Sequence, residues 1–414
     1  MSKRTLPSWA RKATRRGAVA GVSLLLTLTG VSTAQAQAGG HDLTHAAVFT
    51  QTNGLLSNQV VAYYRQDDGS LLEAGRFATG GTGKTGSTDG KGAPLLPIGV
   101  GNGPGGLLQG ANSVVLAQTP DGTPLLFVTN AGSGDLSVFR VERDRLVLTD
   151  RALTGGFSPI SVTVHGNLVY VLNQITATIK GFRVDDAGKL TPVPGAQEPV
   201  AGGLLGNAAA VGFDNTGRSL VVTERSFIGL NANSAVDVYD VGQDGVASAP
   251  RRLPSPGAEP FGFTFDRANH LLVTEGHYEE PHQGTMSTYD LAGDRDLKVL
   301  TRAQPDEGWD TCWVVATEDG KYAFTQSTVD SAIQSKRINP DGTVTVINPA
   351  AAFSSDVPGL LGGFDLALSK GSKYLYALNQ LGTVSAYEIG TDASLKLVDR
   401  ERGILPFPVG LAAS

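Results

Sequence analysis

The run Leu125-Leu126-Phe127-Val128-Thr129-Asn130 reads as a short buried strand closed by an amide, and the chain repeats it. Further copies occupy residues 168–172, 219–223, 271–274, 322–325 and 374–378, closed by Asn173, Glu224, Glu275, Gln326 and Asn379. The closing positions are 43, 51, 51, 51 and 53 residues apart. A polar turn such as Thr119-Pro120-Asp121-Gly122 or Asp214-Asn215-Thr216-Gly217 precedes each copy, with another strand before it. An alternating strand follows, as in Leu136-Ser137-Val138-Phe139-Arg140-Val141 or Val236-Asp237-Val238-Tyr239-Asp240-Val241, and then a turn and a fourth strand. Four short antiparallel strands per repeat predict one propeller blade, and the absence of helical periodicity of any length counts against βαβ units and TIM barrels.

The chain ends set the blade count. Ala47-Val48-Phe49-Thr50-Gln51 matches a second strand, with residues 60–64 and 71–73 as third and fourth strands, but no inner strand precedes it. Phe407-Pro408-Val409-Gly410-Leu411-Ala412 resembles the spare inner strand. The expected fold is therefore all-β: a seven-bladed β-propeller closed by the C-terminal strand joining the N-terminal blade. Closure buries both faces of every small sheet against its neighbours.

Composition narrows the function. The 414 residues include 53 glycines without a triplet period, and a single cysteine, Cys312, which excludes collagen and an internal disulfide. The first 38 residues carry six basic side chains and no acid, and the rest carry 27 basic against 39 acidic residues, a net charge of −12. So acidic a body is a poor general partner for nucleic acid or anionic membrane. Arg15-Arg16, an apolar run from Gly17 to Val31 and small residues at Ala34-Gln35-Ala36 and Ala36-Gln37-Ala38 have the layout of a signal peptide. Residues 1–38 are expected to be removed on export, leaving residues 39–414 as a periplasmic or secreted monomer without a stable membrane anchor. A Gly-, Pro- and Ser-rich stretch at residues 80–110 breaks the repeat as an inserted loop.

Residues 126–141 resemble the YVTN-type repeat of the lactonase-like seven-bladed propellers, the family of the propeller 6-phosphogluconolactonases and carboxymuconate cyclases. The resemblance spans the chain after the leader and implies this fold and a hydrolase acting on a small lactone or ring acid. No repeat shows the Asp-Leu-Gly-x-Asp stretch of phosphogluconolactonase-type members, so no catalytic residue is carried over. The alternatives are a non-catalytic propeller binding a ligand, polysaccharide or protein, and a cyclase-like activity.

Blade topology brings the ends of the second strands and the starts of the inner strands to one channel mouth. Gln51, Asn130, Asn173, Gln326 and Asn379, with Trp309, are the expected ligand-binding residues; the same amides would also suit caps for strand ends. Between blades four and six the ring turns charged. Lactone opening needs a polarised carbonyl and a base for water, for which Arg225 or His277 and Glu224 or Glu275, with Asp310 alongside, have the right chemistry. Asn112, Asn207, Glu259 and Asp365 also begin inner strands. No cofactor is assigned. His277, Glu279, Glu280 and His282 crowd one loop but match no metal-binding spacing, and Cys312 reads as a small packing residue.

Overall fold

The computed structural model describes residues 42–84, 110–226, 233–277, 280–291, 297–357, 362–404 and 408–414. The expected leader (1–38), most of the 80–110 stretch and Glu279 lie outside the described residues. What is described forms seven four-stranded antiparallel sheets. From blade two onward the inner strands are Val114–Gln118, Pro159–His165, Ala208–Phe213, Pro260–Phe265, Thr311–Ala316 and Gly363–Leu368. Blade one takes its inner strand, Val409–Ala413, from the C-terminus: Val48 pairs with Ala413 and Thr50 with Leu411. Neighbouring inner strands touch all the way round, so the ring closes as the chain ends require. Apolar faces fill the gaps between sheets; Leu125, Phe127 and Val138 of blade two, for instance, pack on Val162, Val169 and Phe182 of blade three.

Two repeated devices shape the mouth. In every blade except the second, the inner strand carries a bulge where its pairing with the second strand shifts register. Immediately before the inner strands of blades three to six, Ser158, Asn207, Glu259 and Asp310 adopt left-handed backbone with φ of 59°, 48°, 54° and 61°. Such a conformation is uncommon outside glycine. Its recurrence in four successive blades marks it as the way the linker turns into the channel wall, and in blades five and six the turning residue is a carboxylate.

A third repeated device accounts for part of the glycine content. The linker entering blade five lays Gly257 flat on the Glu275 side chain, its N–H donating to Oε1 at 2.8 Å. A methyl group there would overlap that carboxylate. Gly81 over Asn130, Gly156 over Asn173 and Gly202 over Glu224 repeat the arrangement. Gly257→Ala is expected to cost about 1–3 kcal/mol by overpacking. Thermal unfolding checks this; an unchanged midpoint would mean that the linker has room to move aside.

Candidate functional site

The ring of second-strand ends is not open to the mouth. Gln51, Asn130, Asn173, Glu224, Glu275, Gln326 and Asn379 are all buried; Gln326 reaches into the next blade, its Nε2 donating to the Leu378 carbonyl, and the others bond within their blades or to adjoining linkers and hairpins. Asn130 donates from Nδ2 to Asp135 and Ser137 and accepts from Asn58 and Thr79. Asn173 accepts from Thr154 Oγ1 and donates to the Thr154 carbonyl. Asn379 donates to the Ser354 carbonyl and accepts from the Leu381 and Thr383 amides. Gln51 accepts from Asn58 and donates to the Ser113 carbonyl. These side chains therefore cap strands and fasten linkers, the work that buried polar groups must do when no water reaches them. In blade six the ring position belongs to Ser327, not Gln326: Ser327 pairs with Thr311 as Asn379 pairs with Gly363. A shift of one residue turns a strand side chain to the other face.

The two glutamates expected to act as bases are engaged in the same way. Glu275 accepts four hydrogen bonds, from Ser255, Gly257, Thr285 and Ser287. Glu224 accepts from the Gly202 amide at 2.7 Å and from Arg252 at 2.9 Å. Neither is placed to activate a water. Beside Glu224, on the third strand, lies Asp237, whose carboxyl is pushed up to about 8 by burial and by hydrogen bonding to and repulsion from Glu224. Folded protein thus holds a proton there that the unfolded chain releases near pH 4, so this pair makes stability fall as pH rises from about 4 to about 8. Asp237→Asn keeps a donor toward Glu224 and removes that proton. The variant's melting temperature is expected to pull ahead of wild type by a margin that widens up to about pH 8 and then levels. A constant margin across pH would mean that Asp237 does not titrate in this range.

A different set of charges does converge. Arg225, just past the second strand of blade four, places Nη2 3.1 Å from Glu259 Oε2 of blade five and 3.9 Å from Asp310 Oδ1 of blade six. The guanidinium carbon lies 5.1 Å from the centre of the Phe261 ring, within cation–π range. Arg225 is 2% exposed and Asp310 1%. Burial raises Asp310 above the usual carboxylate range, against the pull of Arg225, and Glu259 raises it further. His277 sits on the adjoining hairpin. Its Nε2 accepts from the Ala258 amide, one residue before Glu259, at 3.2 Å and lies 3.5 Å from Thr285 Oγ1. Of the expected catalytic set, then, Arg225 and Asp310 meet, with His277 nearby, while Glu224 and Glu275 face away into their blades. Glu259, outside the expected catalytic set, is the carboxylate paired with the guanidinium.

Other expected residues serve the rim. The Trp309 ring lies 5.9 Å from that of His282, and its backbone N–H donates to Asp330. The two imidazoles diverge: His277 Nδ1 lies 3.3 Å from Glu280, whereas His282 Nδ1 lies 3.1 Å from the Glu307 carbonyl. Among the described residues no three metal-ligating side chains cluster. The Cys312 thiol lies 3.4 Å from Asp310 Oδ1 and is pushed well up by burial, which leaves it a protonated packing group at neutral pH. Below the mouth the channel holds a 260 Å³ cavity lined by Asn112, Thr163, Phe263, Trp313 and Asp365 among others. Asp365 accepts the Leu366 and Leu411 amides, and burial pushes it up to about 8.

The chain is a seven-bladed β-propeller with a cluster of buried charges between blades four and six. No protein-family model and no curated protein matches the sequence. Among solved structures the chain is similar to a candidate 6-phosphogluconolactonase of Bacteroides uniformis, at 16% identity and a TM-score of 0.63 over 90% of this chain and 99% of that one. A candidate 6-phosphogluconolactonase of Bacteroides fragilis gives 13% and 0.62 over 89% and 97%. The periplasmic gluconolactonase of Pseudomonas aeruginosa gives 15% and 0.62 over 88% and 98%. At these identities the likeness establishes the shared fold.

Proposed function

We propose that this chain is an exported lactonase-like hydrolase that opens a small lactone at the mouth between blades four and six. The observation that carries the reading is the meeting of Arg225, Glu259 and Asp310 from three successive blades around one guanidinium. Arg225 polarises the lactone carbonyl and stabilises the negative charge that develops on its oxygen. Asp310 takes a proton from the attacking water, the ring C–O bond breaks, and a proton returns to the departing alkoxide. Glu259 orients the guanidinium. Export follows from the N-terminal layout of residues 1–38, and the periplasmic gluconolactonase of the same fold is consistent with it. Among the described residues no helix is long and apolar enough to cross a membrane.

Incubation of the purified chain with a panel of γ- and δ-lactones in a weakly buffered pH indicator tests the proposal. Acid release well above the uncatalysed rate is expected, and Asp310→Asn should lower kcat by about a hundredfold. A folded chain that hydrolyses none of them would favour the binding-propeller alternative.

A further inference from the structure

Asp365 is a buried carboxyl without a cation. It stands on the inner strand of blade seven, Gly363–Leu368, and is 4% exposed. Among the described residues no cationic side chain lies within ion-pair distance of it. The strands packed against its own, Thr311–Ala316, Tyr322–Ser327, Tyr374–Asn379 and Val409–Ala413, carry no acid, lysine, arginine or histidine. Their titratable side chains are Cys312, Tyr322, Tyr374 and Tyr376. Only the Leu366 and Leu411 amides, which donate to Asp365, offset its removal from water. A carboxyl buried without a countercharge either holds its proton or takes a cation from outside the fold.

The same residue lines the 260 Å³ channel cavity, where it is the only ionisable side chain among the described residues. Phe213, Phe263, Phe265 and Trp313, from blades four, five and six, line it too. Trp313 is 5% exposed, and its indole N–H meets no acceptor. Buried donors seldom go unpaired in a native structure, so a second group on this wall lacks its partner. The cavity shares no lining residue with the cluster of Arg225, Glu259 and Asp310. Asn215, in the exposed turn after the inner strand of blade four, belongs to its wall, so it reaches the face opposite the charged mouth.

The wall chooses among ligand classes. An anion would meet a carboxyl and no cation. A metal ion would find one carboxylate, no imidazole and no thiolate, in a space many times its own size. A neutral molecule would leave Asp365 without a countercharge. Aromatic side chains and one carboxylate are what an organic ammonium ion takes: ring faces attract the cation, and the carboxylate balances it.

We propose that the channel cavity binds a small organic ammonium ion carrying a hydroxyl, its positive end paired with Asp365 among the aromatic side chains and its oxygen accepting from the Trp313 indole. This is a second ligand site, independent of the hydrolase reading above. The bound state needs the ionised carboxyl, which burial otherwise keeps protonated up to about pH 8. Binding therefore releases a proton below that pH, and affinity rises with pH until the free protein has itself lost the proton.

Choline is the probe, because its charge does not change with pH and dimethylbutanol, its uncharged carbon isostere, has nearly its shape. Calorimetric titration of the purified chain, with tryptophan fluorescence alongside, should show choline binding about tenfold more tightly than the alcohol at pH 8. The choline Kd should rise about tenfold for each pH unit below 8 and stay level above it. Asp365→Asn should bring the two ligands within about twofold of each other and remove the pH dependence. Should that variant fail to fold, the wild-type pH profile and the comparison with the alcohol still decide. Trp313→Phe, which keeps a ring and removes the N–H, should weaken choline severalfold and preserve its advantage over the alcohol. Equal binding of choline and dimethylbutanol, a wild-type Kd indifferent to pH, or no binding of either would overturn the site. Displacement of choline by calcium chloride at constant ionic strength would overturn it in favour of a metal ion.

Discussion

Asp306→Asn is expected to destabilise the propeller by about 3–5 kcal/mol, because it strands a cation in the interior. Lys336, on the third strand of blade six, and Asp306, in the linker entering that blade, are both 0% exposed, with Nζ and Oδ2 3.0 Å apart. Thr325 Oγ1 also takes a hydrogen bond from Nζ, and Asp306 Oδ1 accepts from the Gly308 amide and Thr311 Oγ1. Without the carboxylate, only a neutral hydroxyl and amide are left against the cost of taking the ammonium out of water, a cost that already lowers the Lys336 pKa with Asp306 present. In the variant Lys336 sheds its proton more readily when folded than when unfolded, so the loss should be larger at pH 6 than at pH 9. Asp306→Asn/Lys336→Met should recover most of it, since removing both charges also removes both desolvation costs. Urea unfolding followed by circular dichroism measures all three proteins. A single variant as stable as wild type would show that water reaches Lys336, and a double variant no better than the single would place the loss in the linker hydrogen bonds.

The largest effect on catalysis is expected at Arg225. Arg225→Met should lower kcat/KM toward the best lactone by about 10²–10³-fold, the scale on which loss of an oxyanion donor is felt. The change also leaves Glu259 and Asp310 buried beside each other without their cation. Asp310, which the guanidinium holds down against burial, then favours its protonated form still more, so the base is lost together with the electrophile. Arg225→Lys separates the two effects: it keeps the positive charge between the carboxylates but not the planar fork, and should fold normally with an intermediate loss. Glu275→Gln provides the contrast. It weakens four hydrogen bonds, two to the linker entering blade five and two to that blade's third strand, so its effect should fall on the melting temperature while kcat stays near wild type. Steady-state kinetics beside thermal melts decide the matter. Full activity in Arg225→Met would remove the cluster from the reaction, and a large kcat loss in Glu275→Gln at unchanged stability would return that carboxylate to it.

The blade repeat, the count of seven and closure by the last strand were all legible in one dimension. They rest on local patterns: apolar runs of strand length, turn residues between them, and a fixed spacing that only stacked small sheets can satisfy. The meeting of Arg225 and Asp310, with His277 nearby, was legible only as a neighbourhood, because topology sends inner-strand starts and second-strand ends to one face. Which way each side chain points was decided by register. The inner-strand bulges and the flat glycines at 202 and 257 draw Glu224 and Glu275 into their blades, and the register of blade six puts Ser327 where Gln326 was expected. A strand-end amide or acid looks the same in sequence whether it caps a turn or meets a ligand; its hydrogen-bond partners lie one linker or one blade away. The partnership of Lys336 with Asp306 spans 30 positions, and that of Arg225 with Asp310 joins blade four to blade six. No periodicity encodes either. The sequence by itself determined the wheel, because repeating hydrophobic strands have few ways to bury both faces; only the folded ring decided which of its buried charges face one another.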